Sequence, residues 1–161
     1  MQQLDAQAQS IVAELRQDRQ SGATELARKT LDQVLAYLDR GQPDAGTLRA
    51  LLSELRQARP SMIVIGNALA RIDERGSAEP GEVREAVLDI RSQLANAASA
   101  MVRRARRDLP EAPVIMTHSA SSAVLALFRS LAWDKQAFSV ICTQSSPGLE
   151  GHTLATALNE L

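Results

Sequence analysis

A chain of 161 residues, 45% hydrophobic and 23% charged, fits one folded domain, or one domain and part of another. Its formal net charge of −1 argues against a nucleic-acid binder that relies on an overall basic surface, and its single cysteine, Cys142, excludes an intrachain disulfide and a multi-cysteine zinc site. The N-terminal MQQLDAQAQS is too polar for a signal peptide, and no run approaches transmembrane length, so a cytoplasmic protein without a membrane partner is expected.

With one Trp, one Tyr and two Phe, the core must be built from Leu, Ile, Val, Ala and Met, residues suited to close helix packing. Leu4, Ile11, Val12 and Leu15 give a first apolar stripe at helical spacing, interrupted by Ser21-Gly22. A second stripe runs through Leu26, Leu31, Val34, Leu35 and Leu38 to a loop marked by Gly41, Pro43 and Gly46. Thr47 is the expected N-cap of a third helix carrying Leu48, Leu51, Leu52 and Leu55. Pro60 breaks that pattern, and a fourth helix is expected from near Ser61 with Met62, Ile63, Ile65 and Leu69. After GSAEPG a long helix should run from about Glu82 toward Arg107, burying Val83, Val87, Ile90, Leu94 and Met101. Its terminal Arg103, Arg104, Arg106 and Arg107 read first as a solvated helix end, where positive charge suits the dipole, and second as a phosphate contact.

Pro110 and Pro113 end that helix, and the pattern changes. Val114–Thr117 reads as a buried strand, about Ser121–Ala132 as a helix, Phe138–Cys142 as a second strand, Thr143–Gly151 as a loop and about His152–Leu158 as a helix. This βαβα order implies parallel strands. Residues 1–109 are expected to form a helical domain, and residues 110–161 the start of a Rossmann-like α/β domain. A sheet of two parallel strands leaves both edges open, so either a partner completes it or the chain is a fragment of a longer protein. Cys142 lies in an apolar run, where a small buried hydrophobe is expected.

The segment PVIMTHSASS, residues 113–122, is the most informative stretch. An apolar strand ends in Thr117, His118 and Ser119, and a helix starts at once. In open α/β sheets, ligands bind at the carboxyl ends of strands, where helix N-termini offer free N–H groups. Ser121 and Ser122 are the candidate phosphate donors, unless one of them simply caps the helix. His118 could serve as a base for Ser119. Adjacent residues rarely converge on one proton, however, and no orienting acid is evident, so a buried, hydrogen-bonded histidine is preferred.

Four segments in order carry a family resemblance: SGATELA at Ser21–Ala27, ARPSMIVIGNAL at Ala58–Leu69, IMTHSASSAVLALF at Ile115–Phe128 and FSVICTQSSPGLEGHTLATAL at Phe138–Leu158. Together they resemble the N-terminal half of the translation initiation factor 2B alpha/beta/delta family, whose superfamily includes methylthioribose-1-phosphate and ribose-1,5-bisphosphate isomerases. The resemblance implies a helical domain followed by only the opening of a Rossmann-like domain, hence a truncated member. It also implies a sugar-phosphate contact from the turn at Ser21, Gly22 and Ala23 and from Arg59. Gly22 would let backbone approach a phosphate, and Arg59 would bond it in bidentate fashion.

The departures from that family matter as much. Where the isomerases carry a catalytic cysteine after the strand-end histidine, this chain has Ser119, and the paired aspartate of those enzymes lies further along than this sequence extends. Where the family has an arginine before a proline in the second loop, this chain has Ser145-Ser146-Pro147. Glu150 stands where a glutamine is frequent in the isomerases.

The expected function is therefore a regulatory or binding protein. It would recognise a sugar phosphate or nucleotide through Gly22, Ala23, Arg59, His118, Ser119, Ser121, Ser122 and Glu150, or assemble as a homo- or hetero-oligomer. No catalytic residue, cofactor, metal or direct nucleic-acid contact is expected. A sugar-phosphate (aldose–ketose) isomerase is the alternative, and a generic helical interaction module the third reading.

Overall fold

The computed structural model describes residues 4–19, 21–41, 43–75, 78–118 and 121–161. Among these residues the order is α1 (Ala6–Gln17), α2 (Ala23–Arg40), α3 (Ala45–Ala58), α4 (Ile63–Asp73), α5 (Pro80–Asp108), β1 (Val114–Thr117), α6 (Ser122–Trp133), β2 (Ser139–Cys142) and α7 (Glu150–Asn159). The chain divides into two compact units, Met1–Leu94 and Ala95–Leu161. The division falls within α5, whose C-terminal half belongs to the second unit. The break expected at Pro110 lies just beyond the end of that helix.

The first unit is a helical bundle in which α1 packs on α2 and α3, and α4 on α2 and α3. Its core is aliphatic: Leu15, Leu31, Val34, Leu48, Leu51, Leu55, Ile65, Leu69 and Ile72 are all closed to solvent. Asp5 starts α1 by accepting the Ala8 N–H at 2.8 Å. Asp44, rather than the expected Thr47, caps α3. Its carboxylate accepts the Thr47 N–H at 2.9 Å and the Thr47 hydroxyl at 2.7 Å, so the helix begins nearly a turn earlier. Pro80 opens α5 two residues before the expected start, because its missing N–H is no loss in the first turn of a helix. Val83, Ala86, Val87 and Ile90 of that helix are buried and Leu94 packs against the core. Met101 is 53% exposed and not buried as expected.

The second unit holds a parallel two-stranded sheet in the register Val114↔Ser139, Ile115↔Val140, Met116↔Ile141 and Thr117↔Cys142. Phe128 and Leu131 of α6 and Leu154 of α7 are buried, and Phe128 stacks on Phe138 with ring centroids 5.8 Å apart. Because side chains alternate along a strand, Ile115, Thr117, Val140 and Cys142 share one face, and Val114, Met116, Ser139 and Ile141 the other. The first face is buried or half-buried. On the second, Val114 and Met116 are each 68% exposed and Ile141 is 49% exposed. The strand expected to be buried is thus covered on one side only, and Cys142 is half-buried. Among the described residues no helix is long and apolar enough to cross a membrane.

Candidate functional site

The expected site residues fall in two groups, one in each compact unit. In the first, Gly22 occupies the N-cap position of α2, with φ −65° and ψ 159°, and no side chain caps that helix. A Cβ added at Gly22 would meet nothing within 4 Å, so open space lies beside this turn. Asp18 organises the turn: its carboxylate accepts the Ser21 N–H at 2.8 Å and the Ser21 hydroxyl at 2.7 Å. Lys29, two turns into α2, donates to the Ser21 hydroxyl at 2.7 Å and stands 3.6 Å from Asp18 Oδ2 and 3.3 Å from Glu25 Oε1.

Arg59 is half-buried at the C-cap of α3, where its Nη1 donates to the carbonyls of Asp18 and, at 3.5 Å, Leu15. It closes the C-terminus of α1, whose last carbonyls lack intrahelical partners and carry the negative end of the helix dipole. Asp18 therefore links Arg59 to the Ser21–Ala23 turn. An open recess of about 560 Å³ lies alongside, lined by Glu14, Gln17, Asp18, Arg19, Ser21 and Lys29. Lys29 escaped the sequence reading; its spacing of seven residues from Gly22, on the same face of α2, was the available signal.

The second group surrounds the carboxyl end of β1. Ser119 lies outside the described residues. His118 is exposed, not buried as expected, although it is hydrogen-bonded: its Nδ1 is 3.1 Å from Thr143 Oγ1. The Thr143 hydroxyl donates to the His118 carbonyl at 2.9 Å, and the Ser145 hydroxyl donates to the same oxygen. When the Thr143 proton goes to that carbonyl, its Oγ1 accepts from Nδ1–H of the ring and Nε2 of the neutral imidazole is the acceptor; the opposite tautomer goes with a Thr143 hydroxyl that donates to Nδ1. No carboxylate among the described residues hydrogen-bonds His118, so the residue is held by hydroxyl contacts at its ring and its carbonyl and lacks the orienting acid of a catalytic triad.

Ser121 stands at the N-cap of α6, with φ −114° and ψ 134°, yet its hydroxyl makes no capping bond. Ser122 is the first helical residue, and both serines are exposed. The α6 N-terminus therefore presents two hydroxyls and the unpaired N–H groups of its first turn.

Facing β1 across the sheet, the turn after β2 begins with the Thr143 N–H bonded to the Thr117 carbonyl at 3.1 Å. Its left-handed Ser145 (φ 57°) and Leu149 (φ 53°) bend the chain into α7. Gly151 sits buried against the end of β2, where an added Cβ would stand 1.8 Å from the Thr143 carbonyl oxygen. Only glycine allows α7 to approach so closely. Glu150, in the first turn of α7, is exposed and carries the charge that a helix N-terminus favours. Thr143 and Ser145 were missed as partners of His118; the polar run TQSSP directly after a strand was their only mark.

The Initiation factor 2 subunit family matches residues 6–161. The chain is 31% identical over 155 residues to the translation initiation factor eIF-2B subunit 2-like protein of Pyrococcus abyssi, covering 94% of this chain and 55% of that protein. Its Pyrococcus horikoshii counterpart is 29% identical over 152 residues, covering 92% and 54%. Among solved structures, the Pyrococcus horikoshii OT3 translation initiation factor eIF-2B superposes with a TM-score of 0.81 at 26% identity, covering 98% of this chain and 57% of that one. The tetrameric eIF2B-beta2-delta2 complex from C. thermophilum gives 0.71 at 15% identity, covering 99% and 57%, a likeness of fold alone. The chain spans about half the length of the curated relatives it matches.

Proposed function

Because this chain belongs to the Initiation factor 2 subunit family, we propose that it works as a binding and assembly protein of that family. The turn closing β1 takes the phosphoryl group of a sugar phosphate or nucleotide. The observation that carries this reading is the unspent donor set at the start of α6: two exposed serine hydroxyls and free N–H groups at the carboxyl end of a parallel strand. Ser119, next to His118 in sequence, is assigned to the same ligand as a further hydroxyl, His118 offers Nε2 as an acceptor, and the exposed Glu150 limits how much negative charge the ligand carries. The Gly22–Ala23 turn and Arg59 form a second phosphate-compatible group in the helical unit, with Arg59 giving up its carbonyl contacts when it binds.

The open sheet takes a polypeptide. Val114, Met116 and Ile141 form an apolar face that further strands and helices of a larger α/β domain would cover, supplied by a longer form of the chain or by a partner in a homo- or hetero-oligomer. The site of action is cytoplasmic.

Thermal unfolding tests the ligand half. Ribose phosphates and nucleoside monophosphates should raise the melting temperature, by an amount corresponding to about 2.7 kcal/mol at a hundredfold excess over Kd. Replacing Ser121 and Ser122 together with Ala should abolish that rise. A folded protein that melts identically with and without every phosphorylated ligand contradicts the reading. Conversion of a sugar phosphate to its isomer would replace it with the enzyme.

A further inference from the structure

The last turns of α5 carry more positive charge than the helix end needs. A helix C-terminus presents roughly half a negative charge, whereas four arginines crowd into Arg103–Arg107. Two are neutralised locally: Arg104 Nε lies 3.0 Å from Asp108 Oδ2, and Arg106 bonds Ser130 Oγ at 2.9 Å together with the Asp134 carboxylate. Arg103 and Arg107 are exposed and have no acidic partner among the described residues. They stand one helical turn apart, at a spacing where like charges repel, and with Arg106 they line one open recess of about 410 Å³. A second recess of about 320 Å³ shares Arg103 as a wall and continues along Ala98, Val102, Ala126 and Ser130, between α5 and α6.

We propose that this groove is a separate anion site for a small molecule that joins a phosphoryl group to an apolar body. The phosphoryl group lies between Arg103 and Arg107, and the apolar body lies along Ala98, Val102 and Ala126. A phosphate monoester carries close to two negative charges near neutral pH, which matches two unpaired guanidiniums better than one carboxylate does. Its oxygens accept bidentate arginine bonds. A nucleic-acid strand is disfavoured because it needs a longer basic track than two free arginines on a chain of net charge −1.

The test is chemical-shift mapping of the full chain at constant ionic strength, with AMP, inorganic pyrophosphate and a single-stranded RNA as probes. AMP should give saturable shifts at residues 98–107 and 126–130, and pyrophosphate should shift only the arginine end. The double variant Arg103→Gln/Arg107→Gln removes both charge-assisted contacts and should weaken AMP at this groove by about tenfold or more, while leaving the fold unchanged. Ser121→Ala/Ser122→Ala should leave these shifts untouched, which separates this site from the β1 turn. Shifts that never saturate, AMP binding indifferent to the arginine substitutions, or binding of RNA without AMP would each overturn the proposal.

Discussion

The helical unit closes on itself and the α/β unit does not. In the first, Leu48, Leu51 and Leu55 of one helix are wholly enclosed, and α1, α2 and α4 all turn their apolar stripes inward. In the second, Phe128, Leu131 and Leu154 anchor one side of the sheet while Val114, Met116 and Ile141 face solvent. Trp133, at the end of α6, is 88% exposed. The difference follows from how the two architectures bury backbone and side chains. An amphipathic helix satisfies its own hydrogen bonds and needs cover on one stripe only. A parallel strand needs neighbours on both edges and layers on both faces. Four helices and the first half of α5 therefore make a finished body, whereas two parallel strands with α6, α7 and the second half of α5 leave a surface for something else to cover.

That contrast can be broken or sharpened by substitution. The largest effect is expected from Leu51→Ala in the closed core, which should cost about 2–5 kcal/mol in urea unfolding. A loss below about 1 kcal/mol would show that the bundle is not the stable body it is taken to be. Gly151→Ala comes next. The added methyl collides with the Thr143 carbonyl, so α7 should separate from β2 at a cost of roughly 1–3 kcal/mol. Proteolysis or amide exchange confined to residues after Cys142 would report it. Gly22→Ala meets open space at an ordinary φ and should change stability by less than about 1 kcal/mol, because a weaker N-cap and a less flexible unfolded chain offset each other. Smallest of all, Met116→Thr on the bare face should alter monomer stability by about 0.5 kcal/mol or less. It should nevertheless reduce association measured by sedimentation.

The helical unit also has a pH signature. Tyr37 is buried and donates its hydroxyl to Asp5 Oδ2 at 2.7 Å. Burial, together with the hydrogen bond and the nearby Asp5 charge, pushes the phenol up to about 12, while bonds from the Ala8 N–H and from Tyr37 hold Asp5 below the usual carboxylate range. The unfolded phenol ionises near 10, so between about 10 and 12 the folded state holds a proton that the unfolded state has lost. Stability from Tyr37 is therefore complete below pH 10 and lost as pH rises toward 12. Asp5 acts at the other end: its contribution is present above its unfolded value of 3.8 and fades as pH falls through its lowered folded value. Tyr37→Phe should flatten the alkaline limb of the stability profile without shifting the acid limb equally.

Much of this organisation was legible in the sequence. Val114–Thr117 read correctly to the residue because Pro113 precedes an apolar run and a polar turn follows it. The α5 helix and the βαβα order followed from a change of period. What failed has a common cause: it depends on partners distant in sequence. Arg59 gives no sign in the chain that its guanidinium will close α1, more than forty residues earlier. His118 and Thr143 are 25 residues apart and meet only because the strands pair in parallel. Nor does the alternation of Val114, Ile115 and Met116 reveal which side is covered, since all three are apolar and only the neighbours decide. The Asp44 cap was missed for a local reason, because Asp44 and Thr47 are both good cap residues and bond each other.

The contrast between a closed bundle and an open sheet is most directly tested by native-state amide hydrogen exchange on dilute, monomeric chain and again at a concentration or with a partner that produces association. The account predicts that α2 and α3 exchange slowly in both conditions, while Val114–Thr117 and Ser139–Cys142 exchange rapidly in the monomer and become protected on association. Protection of those two strands in the dilute monomer equal to that of the helical core would contradict it.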